Sequence, residues 1–416
     1  MKHAIMASIG TDGDIYPFLA LGMELRKRGF RVTLASHEHF AHTATKEGLE
    51  FMSIVSEEET RELLEQPAFW HPLQGPLVIG RWAARLLKKH YVTLRRITRS
   101  GDAFLVASPG IMAARLLQET RKIPLISVIL QPWVIPSLQS PPVMMGGLTL
   151  PHWAPRPVGK LYHRLIDTLG KHLLGAEFKQ IRSKLALGPL RDMFRWWFSP
   201  ELVLGLFPEW FGPPQLDWPP QIRLMGFPVD GLARRNLPKN LLAFCQDGQS
   251  VITFTFGTGM MHAKDLFREA IEACRLLESR AVFLTRFRSQ LPDRLPPFVH
   301  HCQFASFAEL FPLCAAVVHH GGIGTVSNAL AAGTPQLILP FAFDQMDNAV
   351  RVKKLGAGSW LNPAQRNARE IAGVLSRFLN SDVRTSSQRL ARSAGGRNGI
   401  ECAANQIEAF TKARSS

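Results

Sequence analysis

Cysteine is scarce in this sequence of 416 residues, and none of its five cysteines falls in a Cys-x-x-Cys spacing. That scarcity argues against a zinc ribbon, a redox pair and a disulfide framework, and it favours reduced thiols in the cytoplasm. Long apolar runs are missing as well, because five prolines interrupt the most hydrophobic stretch, residues 123–150. A spanning helix needs about 20 successive apolar residues, so none is predicted. The chain also reaches Asp12 and Asp14 too early for a signal peptide.

Acidic residues are outnumbered, with 33 Asp and Glu against 49 Lys and Arg and a formal net charge of +16. Most of the excess lies in residues 81–200, which hold 19 basic and 5 acidic side chains. Such a charge favours a polyanionic partner. A basic amphipathic helix predicted over 81–99 suits peripheral contact with an anionic membrane, although an ordinary solvated face explains it equally well. A nucleic-acid partner is disfavoured, since no aromatic–basic interleaving or known binding motif accompanies the charge.

Short apolar runs alternate with helical patterns along the chain, which predicts parallel sheets with crossover helices, twice over, in an α/β protein. The predicted strands are 3–8, 31–35, 104–107, 125–130, 202–207, 251–256, 281–284, 315–319 and 336–340. Seven prolines in residues 207–240 are incompatible with helix or interior strand, so the domain boundary is predicted near residue 235. We therefore expect an N-terminal domain over 1–235, a C-terminal domain over 236–395, and a helix or tail over 396–416.

The strongest local signal is the glycine-rich sequence HHGGIGT, residues 319–325, between a predicted buried strand and a helix predicted over 323–333. Backbone N–H groups at such a helix start can bind an anion, and glycines let it approach closely, so a diphosphate is the natural ligand. Taken alone, however, such a turn is more often a plain strand–turn–helix corner with surface histidines, because these turns are common in α/β sheets. The turn is not a P-loop, because no Gly-Lys-Ser/Thr follows, and its spacing does not fit GxGxxG.

Polar residues follow two other predicted strands of the same domain. Asp344 and Gln345 come after the strand that ends at residue 340, and this pair suits sugar hydroxyls, although an ordinary surface loop explains it equally well in isolation. Gly257 and Thr258 close the domain's first strand. Ligands bind outside the carboxyl ends of strands in open parallel sheets, so these residues could share the crevice of the glycine-rich turn.

In the N-terminal half, SIGTDGDIYP (residues 8–17) joins the first strand to a helix predicted over 17–29. Asp14 lies near the start of that helix, where both a capping role and a catalytic role are open. The cluster His37, His39 and His42 has no metal-site spacing, so a solvated strand–helix loop is the better interpretation and no metal is assigned.

Taken together, GTDGDIYP, FGT, HHGGIGT and FDQ, in this order, resemble the inverting nucleotide-sugar glycosyltransferases of family one. The resemblance covers nearly the whole chain and implies the GT-B fold, in which two Rossmann-like domains face each other across a cleft and the C-terminal tail packs back toward the N-terminal domain. The segments FPEWFGPPQLDWP and MGFP are similar to the rhamnosyltransferases of rhamnolipid synthesis.

The same resemblance implies roles for individual residues. Asp14 matches the family's catalytic base, and His320, with His319 as the weaker candidate, matches the histidine that contacts the donor phosphates. The full set of implied donor-binding residues is Thr11, Gly257, Thr258, Phe304, Phe307, His319, His320, Gly321, Gly322, Gly324, Thr325, Asp344 and Gln345. Plant members stack uracil on a Trp, whereas the matching segment here is Phe304-Ala305-Ser306-Phe307, which leaves a dTDP-sugar and a UDP-sugar both open. No cofactor or metal is implied, since the only Asp-x-Asp triplet, residues 12–14, lies far from the glycine-rich turn.

The implied activity is transfer of rhamnose or another hexose, with inversion, to a hydroxyl of a hydrophobic or lipid-like acceptor such as a hydroxy-fatty acid. A polyketide, a sterol or another small aglycone is the alternative acceptor. A nucleotide-sugar epimerase is the alternative of another class, which the apolar, Trp-rich residues 130–215 disfavour because an epimerase needs no acceptor pocket. The implied location is the cytoplasm, with peripheral contact at the inner membrane face.

Overall fold

The computed structural model describes residues 2–99, 101–144, 147–151, 153–228, 236–248, 250–380, 382–394 and 398–414. The chain divides into two compact units, the first formed by residues 1–142, 149–228 and 398–416 and the second by residues 143–148 and 229–397. The predicted boundary near 235 lies in a segment, 229–235, that is outside the described residues. Each unit is built on a parallel sheet, as predicted.

The first unit contains a sheet of seven parallel strands in the order β3-β2-β1-β4-β5-β6-β7. Its strands are β1 His3–Ala7, β2 Arg31–His37, β3 Glu50–Val55, β4 Ala103–Ala107, β5 Leu125–Ile129, β6 Leu202–Gly205 and β7 Ile222–Leu224. Its helices are α1 Asp12–Lys27, α2 Ala41–Lys46, α3 Glu57–Leu64, α4 Gly75–Ile97, α5 Met112–Arg121, α6 Arg156–Leu173, α7 Gly175–Lys184 and α8 Met193–Trp196. The strand order reverses between β1 and β4, so the loop after β1 opens at a topological switch point.

The second unit contains a sheet of six parallel strands in the order β10-β9-β8-β11-β12-β13. Its strands are β8 Val251–Thr255, β9 Arg280–Leu284, β10 Val299–Cys302, β11 Ala316–His319, β12 Gln336–Ile338 and β13 Gly358–Trp360. Its helices are α9 Lys239–Gln246, α10 Lys264–Leu276, α11 Phe307–Leu310, α12 Ile323–Ala332, α13 Gln345–Lys354, α14 Ala368–Asn380 and α15 Val383–Ala394. The switch point lies between β8 and β11, where Thr255 pairs with His319.

The last helix of the chain, α16 Gly399–Ala413, belongs to the first unit and packs against α1. Arg28, at the end of α1, pairs with Glu408 of α16 at 3.4 Å and also donates a hydrogen bond to Asn405. Burial of the apolar face of α16, which includes Ile400 and Ile407, holds this helix in place. The first unit is therefore completed by residues that follow the whole second unit in the chain.

Candidate active site

The predicted base, Asp14, lies in the first turn of α1, which begins five residues before the predicted start at residue 17. Thr11 is the N-cap residue of this helix; its backbone N–H donates to Asp14 Oδ2 at 2.8 Å and its hydroxyl donates to the same oxygen at 3.1 Å. Among the described residues no hydrogen bond reaches the other oxygen, Oδ1. Asp14 thus stabilises the helix start with one oxygen, while its other oxygen has no hydrogen bond within the described residues.

The electrostatic environment of Asp14 makes its carboxylate a stronger base. Burial raises the pKa of the Asp14 carboxyl and the nearby charge of Asp12 adds to the rise, whereas the two hydrogen bonds from Thr11 act in the opposite direction. The side chain is still partly exposed at the surface. Since a raised pKa strengthens a carboxylate as a proton acceptor, the site suits general base catalysis. The hydroxyl of Thr11 donates a hydrogen bond to Asp14, whereas the sequence resemblance assigned Thr11 to binding of the donor substrate.

The loop before Asp14 depends on a glycine and a histidine. Gly10 has φ +139°, and a Cβ atom on it would lie 2.3 Å from Asp14 Oδ2, so only glycine fits. His37, which ends β2, accepts a hydrogen bond from the Gly10 amide. The predicted solvated loop is wrong for His37, which is buried, although His39 and His42 are exposed. The signal that could have found His37 is its position: the adjacent strands β1 and β2 end at the same sheet edge.

No group of three or more His, Cys, Asp or Glu side chains suited to holding a metal ion occurs in the described part of the chain. The His37 ring is used for hydrogen bonds within the fold.

In the second unit, the glycine-rich turn joins β11 to α12. Gly321 has φ +97°, and Gly322 is the N-cap residue of α12. The Thr325 amide donates to the carbonyl of the N-cap residue Gly322 at 3.0 Å, so the first-turn amides with no carbonyl partner within α12 are those of Ile323 and Gly324. These amides and the positive end of α12 can bind an anion.

His320 lies between two glycines at the switch point of the second sheet. A Cβ atom on Gly257 would lie 3.0 Å from its Cε1 atom, and one on Gly322 would lie 2.5 Å from its Nε2 atom. The glycines of the FGT and HHGGIGT motifs therefore create the space for this ring. Burial lowers the pKa of His320 to about 4, with the Thr255 backbone acting in the opposite direction, so the ring is neutral near pH 7. A neutral imidazole has one N–H that can donate to a phosphate oxygen.

The neighbouring His319 faces the interior instead. Its Nδ1 accepts a hydrogen bond from the Gly321 amide at 3.1 Å, and its Nε2 lies 3.0 Å from Gln336 Oε1. Burial, followed by the proximity of His320, lowers the pKa of His319 to about 3. With both ring nitrogens engaged and no surface exposed, His319 shapes the turn and does not reach a ligand, contrary to the weaker of the two sequence assignments.

Asp344 is linked to the glycine-rich turn through Asn348, which the sequence analysis overlooked. The Asn348 side-chain amide donates to Asp344 Oδ2 at 2.7 Å and to the Gly321 carbonyl at 2.9 Å. Phe343, just before Asp344, has φ +58°, a strained conformation for a non-glycine residue that is common at functional sites. Gln345 is buried, and its Oε1 accepts from the Phe341 and Ala342 amides, which leaves only its Nε2 group for a sugar hydroxyl.

The other residues predicted to bind the donor substrate differ in their exposure to solvent. The Phe304 ring is 40% exposed, whereas Phe307 stacks on Phe311 with ring centres 4.5 Å apart. Phe304 is thus the better candidate for stacking on a base. Thr258 is partly exposed and Thr325 is buried.

Two family models match the chain, one on each side of the proline-rich segment. The glycosyltransferase family 28 N-terminal domain matches residues 4–138, and the C-terminal domain of the erythromycin biosynthesis protein CIII-like family matches residues 280–408. The first range includes Asp14 and the second includes the glycine-rich turn and Asp344.

Two proteins that are similar over nearly the whole of this chain are transferases. The O-mycaminosyltylonolide 6-deoxyallosyltransferase of Streptomyces fradiae is 28% identical, with all of this chain and 98% of that protein covered. A sterol 3-beta-glucosyltransferase of Arabidopsis thaliana is 26% identical over 98% of this chain and 65% of its own length. The chain is a GT-B glycosyltransferase.

Solved structures confirm the fold predicted for this glycosyltransferase. The glycosyltransferase of kitacinnamycin has a TM-score of 0.74 at 18% identity, with 98% of each chain covered. The spinosyn rhamnosyltransferase SpnG, solved with thymidine diphosphate, has a TM-score of 0.67 at 18% identity over 98% of this chain and all of its own. None of these findings supports the epimerase alternative. No described helix of the glycosyltransferase is long and apolar enough to cross a membrane.

Proposed function

We propose that this glycosyltransferase moves a hexose from a nucleotide diphosphate sugar to a hydroxyl group of a hydrophobic acceptor, with inversion at the anomeric carbon. The observation that carries the proposal is the Asp14 carboxylate, a base of raised pKa at the carboxyl end of the central strand β1. The start of α12, with the neutral ring of His320 beside it, supplies the complementary anion site.

In the proposed reaction, Asp14 Oδ1 takes the proton of the acceptor hydroxyl as its oxygen attacks the anomeric carbon. The bond from that carbon to the diphosphate oxygen breaks, and the electron pair leaves with the nucleotide diphosphate. The amides of α12 and the His320 N–H stabilise the negative charge that develops on this leaving group. Because the start of α12 stabilises the negative charge of the leaving group, it takes the role that a divalent ion has in other transferases.

For the donor, we propose a dTDP-activated 6-deoxyhexose such as rhamnose, with a UDP-hexose as the alternative. Two similarities support the deoxysugar: the Streptomyces fradiae relative is named for 6-deoxyallose, and SpnG is a rhamnosyltransferase that was solved with thymidine diphosphate. The exposed Phe304 ring offers a stacking surface for either pyrimidine. Asp344, held by Asn348, is proposed to accept hydrogen bonds from the sugar hydroxyls.

For the acceptor, we propose a polyketide or sterol-like aglycone, because the relatives named above act on a macrolide and on sterols. A hydroxy-fatty acid is the second candidate, which rests only on the sequence resemblance of two segments, FPEWFGPPQLDWP and MGFP, to the rhamnosyltransferases of rhamnolipid synthesis. A product assay with one acceptor of each kind and dTDP-rhamnose tests the choice. Product from the fatty acid alone would reverse the order of the two acceptors, and product from neither would reject the pairing of dTDP-rhamnose with these acceptors.

The donor site is tested by calorimetry with dTDP and with dTDP-rhamnose. His320→Ala should weaken both ligands by about 10- to 100-fold, because a hydrogen bond to a charged oxygen is worth about 1.5–3 kcal/mol. Asp344→Asn keeps an acceptor for Asn348 and should weaken dTDP-rhamnose while sparing dTDP. His39→Ala, an exposed histidine of the first unit, is the matched control. Equal losses for both ligands in Asp344→Asn would reject the sugar role.

We also propose peripheral contact of the enzyme with an anionic membrane from the cytoplasmic side, through α6. The apolar side chains of Val158, Leu161, Leu165 and Leu169 recur at helical spacing on its outer face and are all about half exposed or more. Lys160 and Arg164 are exposed on the same helix. The helix that the sequence favoured, α4, suits this contact less well, because its apolar face is buried and its basic side chains include partners of acidic ones.

Sedimentation with vesicles of phosphatidylglycerol tests this contact. Lys160→Gln/Arg164→Gln should weaken binding by about tenfold or more, since each basic residue near such a surface adds about 1 kcal/mol. Binding should also fall as salt rises, because exposed charges are screened over about 8–10 Å near physiological ionic strength. The control, Arg95→Gln/Arg96→Gln, makes the same charge change on α4. A larger loss in the control, or no binding at low salt, would contradict the assignment to α6.

A further inference from the structure

Behind the Asp14 loop lies a hydrogen-bond chain that the proposed reaction does not explain. His37 Nε2 lies 3.0 Å from the Gly10 amide nitrogen, and His37 Nδ1 lies 2.7 Å from Thr60 Oγ1 in α3. The imidazole therefore connects the loop that carries Asp14 to a helix that makes no other contribution to the site.

The hydrogen-bond donors and acceptors fix the tautomer of this ring. The Gly10 amide can only donate, so Nε2 must be the nitrogen that carries no proton. The Thr60 hydroxyl donates its single proton to the Ser56 carbonyl at 2.9 Å, so it must accept from His37. Nδ1 consequently carries the proton, and the ring is neutral. Burial, with further contributions from His39 and His90 and an opposing one from Glu59, lowers the pKa of His37 to about 3, which agrees with this state.

The ring is held from its other side as well. Trp82 of α4 is stacked nearly parallel to His37, with an angle of 12° and a centroid distance of 6.3 Å. The Trp82 indole N–H donates to the Glu59 carbonyl at 3.2 Å, and Glu59 and Ser56 form a capping box at the start of α3. His37 is thus fixed by packing and by its two hydrogen bonds.

The effect of this chain on Asp14 passes through Gly10. A Cβ atom on Gly10 would lie 2.3 Å from Asp14 Oδ2, so the carboxylate rests directly against the Gly10 backbone. Any rotation of the Gly10 peptide would shift the carboxylate and the Thr11 amide that donates to it at 2.8 Å. Two tethers hold this loop besides: Ser36 Oγ donates to the Ser8 carbonyl at 2.9 Å, and Ser8 Oγ donates to the Asp14 carbonyl at 3.2 Å.

We propose that His37 is a positioning residue for the catalytic base, which as the neutral Nδ1–H tautomer accepts the Gly10 N–H and so holds the Asp14 carboxylate in its reactive place. The effect on turnover rests on the proposed role of Asp14, whereas the tautomer and the hydrogen bond do not.

A comparison of His37→Leu with His37→Gln tests the effect on turnover. Leucine removes the acceptor, and kcat should fall about tenfold or more with the donor KM nearly unchanged, since small displacements of a catalytic group are costly. The glutamine side chain can place its amide oxygen near the position of Nε2, so it should restore most of the rate. His90→Leu replaces a second buried histidine nearby and controls for the loss of packing. Equal rates in the leucine and glutamine variants, or an equal loss in His90→Leu, would overturn the positioning role.

Two measurements without substrate keep this inference separate from the role of Asp14. Correlation of the His37 ring nitrogens with their carbon-bound protons by NMR should show a protonated Nδ1 and an unprotonated Nε2 at neutral pH. The Gly10 amide should exchange its hydrogen slowly in the wild type and in His37→Gln but rapidly in His37→Leu. The opposite tautomer, or fast exchange in the wild type, would overturn the inference even if Asp14 proves to be the base. If both measurements succeed while Asp14→Asn stays active, only the proposed base is wrong.

Discussion

Asp14→Asn should lower turnover by about 10²-fold or more, the range expected for loss of a general base. Asparagine cannot take up the acceptor proton, but its side-chain oxygen can still accept from the Thr11 amide, which now donates to Asp14 at 2.8 Å. The substitution therefore removes the chemistry and keeps the helix cap. Steady-state rates, dTDP-sugar binding and thermal unfolding should be measured on the same preparation. Turnover like that of the wild type would reject Asp14 as the base, and a large loss of stability would indicate a structural effect.

The pH profile adds an independent check. A base must be deprotonated, so activity should fall as pH falls through the pKa of Asp14, which burial has raised. The charge of Asp12 contributes to that rise, so Asp12→Asn should lower the pKa of Asp14 and move the acid limb of kcat/KM to lower pH. An acid limb that stays in place, or moves to higher pH, would indicate that another group controls it.

Gly10→Ala should reduce turnover nearly as much as Asp14→Asn, although it changes no ionisable group. The added Cβ would lie 2.3 Å from Asp14 Oδ2 in a backbone conformation of φ +139°, so either the carboxylate or the loop must move. A strained backbone of this kind also costs about 1–3 kcal/mol of stability. Steady-state rates measure the effect on turnover, and the midpoint of chemical denaturation measures the effect on stability.

Gly13→Ala is the matched control for this change. A Cβ on Gly13 would have Thr11 Oγ1 at 3.9 Å as its nearest neighbour, and Gly13 lies within α1. Replacing a helical glycine with alanine should raise stability by about 0.4–1 kcal/mol and leave turnover unchanged. Equal losses of activity in the two alanine variants would show that the loop tolerates no change at all, and the steric explanation for Gly10 would fail.

The nine strands predicted from the sequence are all present, and the four that were missed, β3, β7, β10 and β13, all lie at sheet edges. Interior strands of a parallel sheet are buried on both faces, so they have continuous apolar sequences that are easy to find. Edge strands have a different composition: β10 contains His300 and His301, and β7 contains the exposed Arg223. An edge strand forms because it pairs with its neighbouring strand, and the local sequence does not show that pairing.

Some residues of the candidate site could likewise be predicted from the sequence, and others could not. Residues in motifs with a distinctive glycine pattern, such as His320 with Gly257 and Gly322, are brought together as predicted from parallel strand ends. Asn348 and His37 act through partners that are 27 residues away in the sequence, and only the fold makes those pairs. Gln345 is a different case: its side-chain oxygen suits a sugar hydroxyl but accepts from two nearby backbone N–H groups instead, and local sequence does not distinguish these two uses of an amide.

The position of α16 has a consequence for biosynthesis. The chain emerges from the ribosome with its N-terminus first, so most of the first unit emerges early, yet Arg28 of the first unit can meet Glu408 only after the whole second unit has been synthesised. During that interval the face of α1 that α16 will cover is exposed. Domains usually fold in order of their synthesis, but here the second unit can finish before the first. A stop codon near residue 397 should therefore leave the second unit's sequence whole and damage the first, which makes the N-terminal unit the part most sensitive to C-terminal truncation.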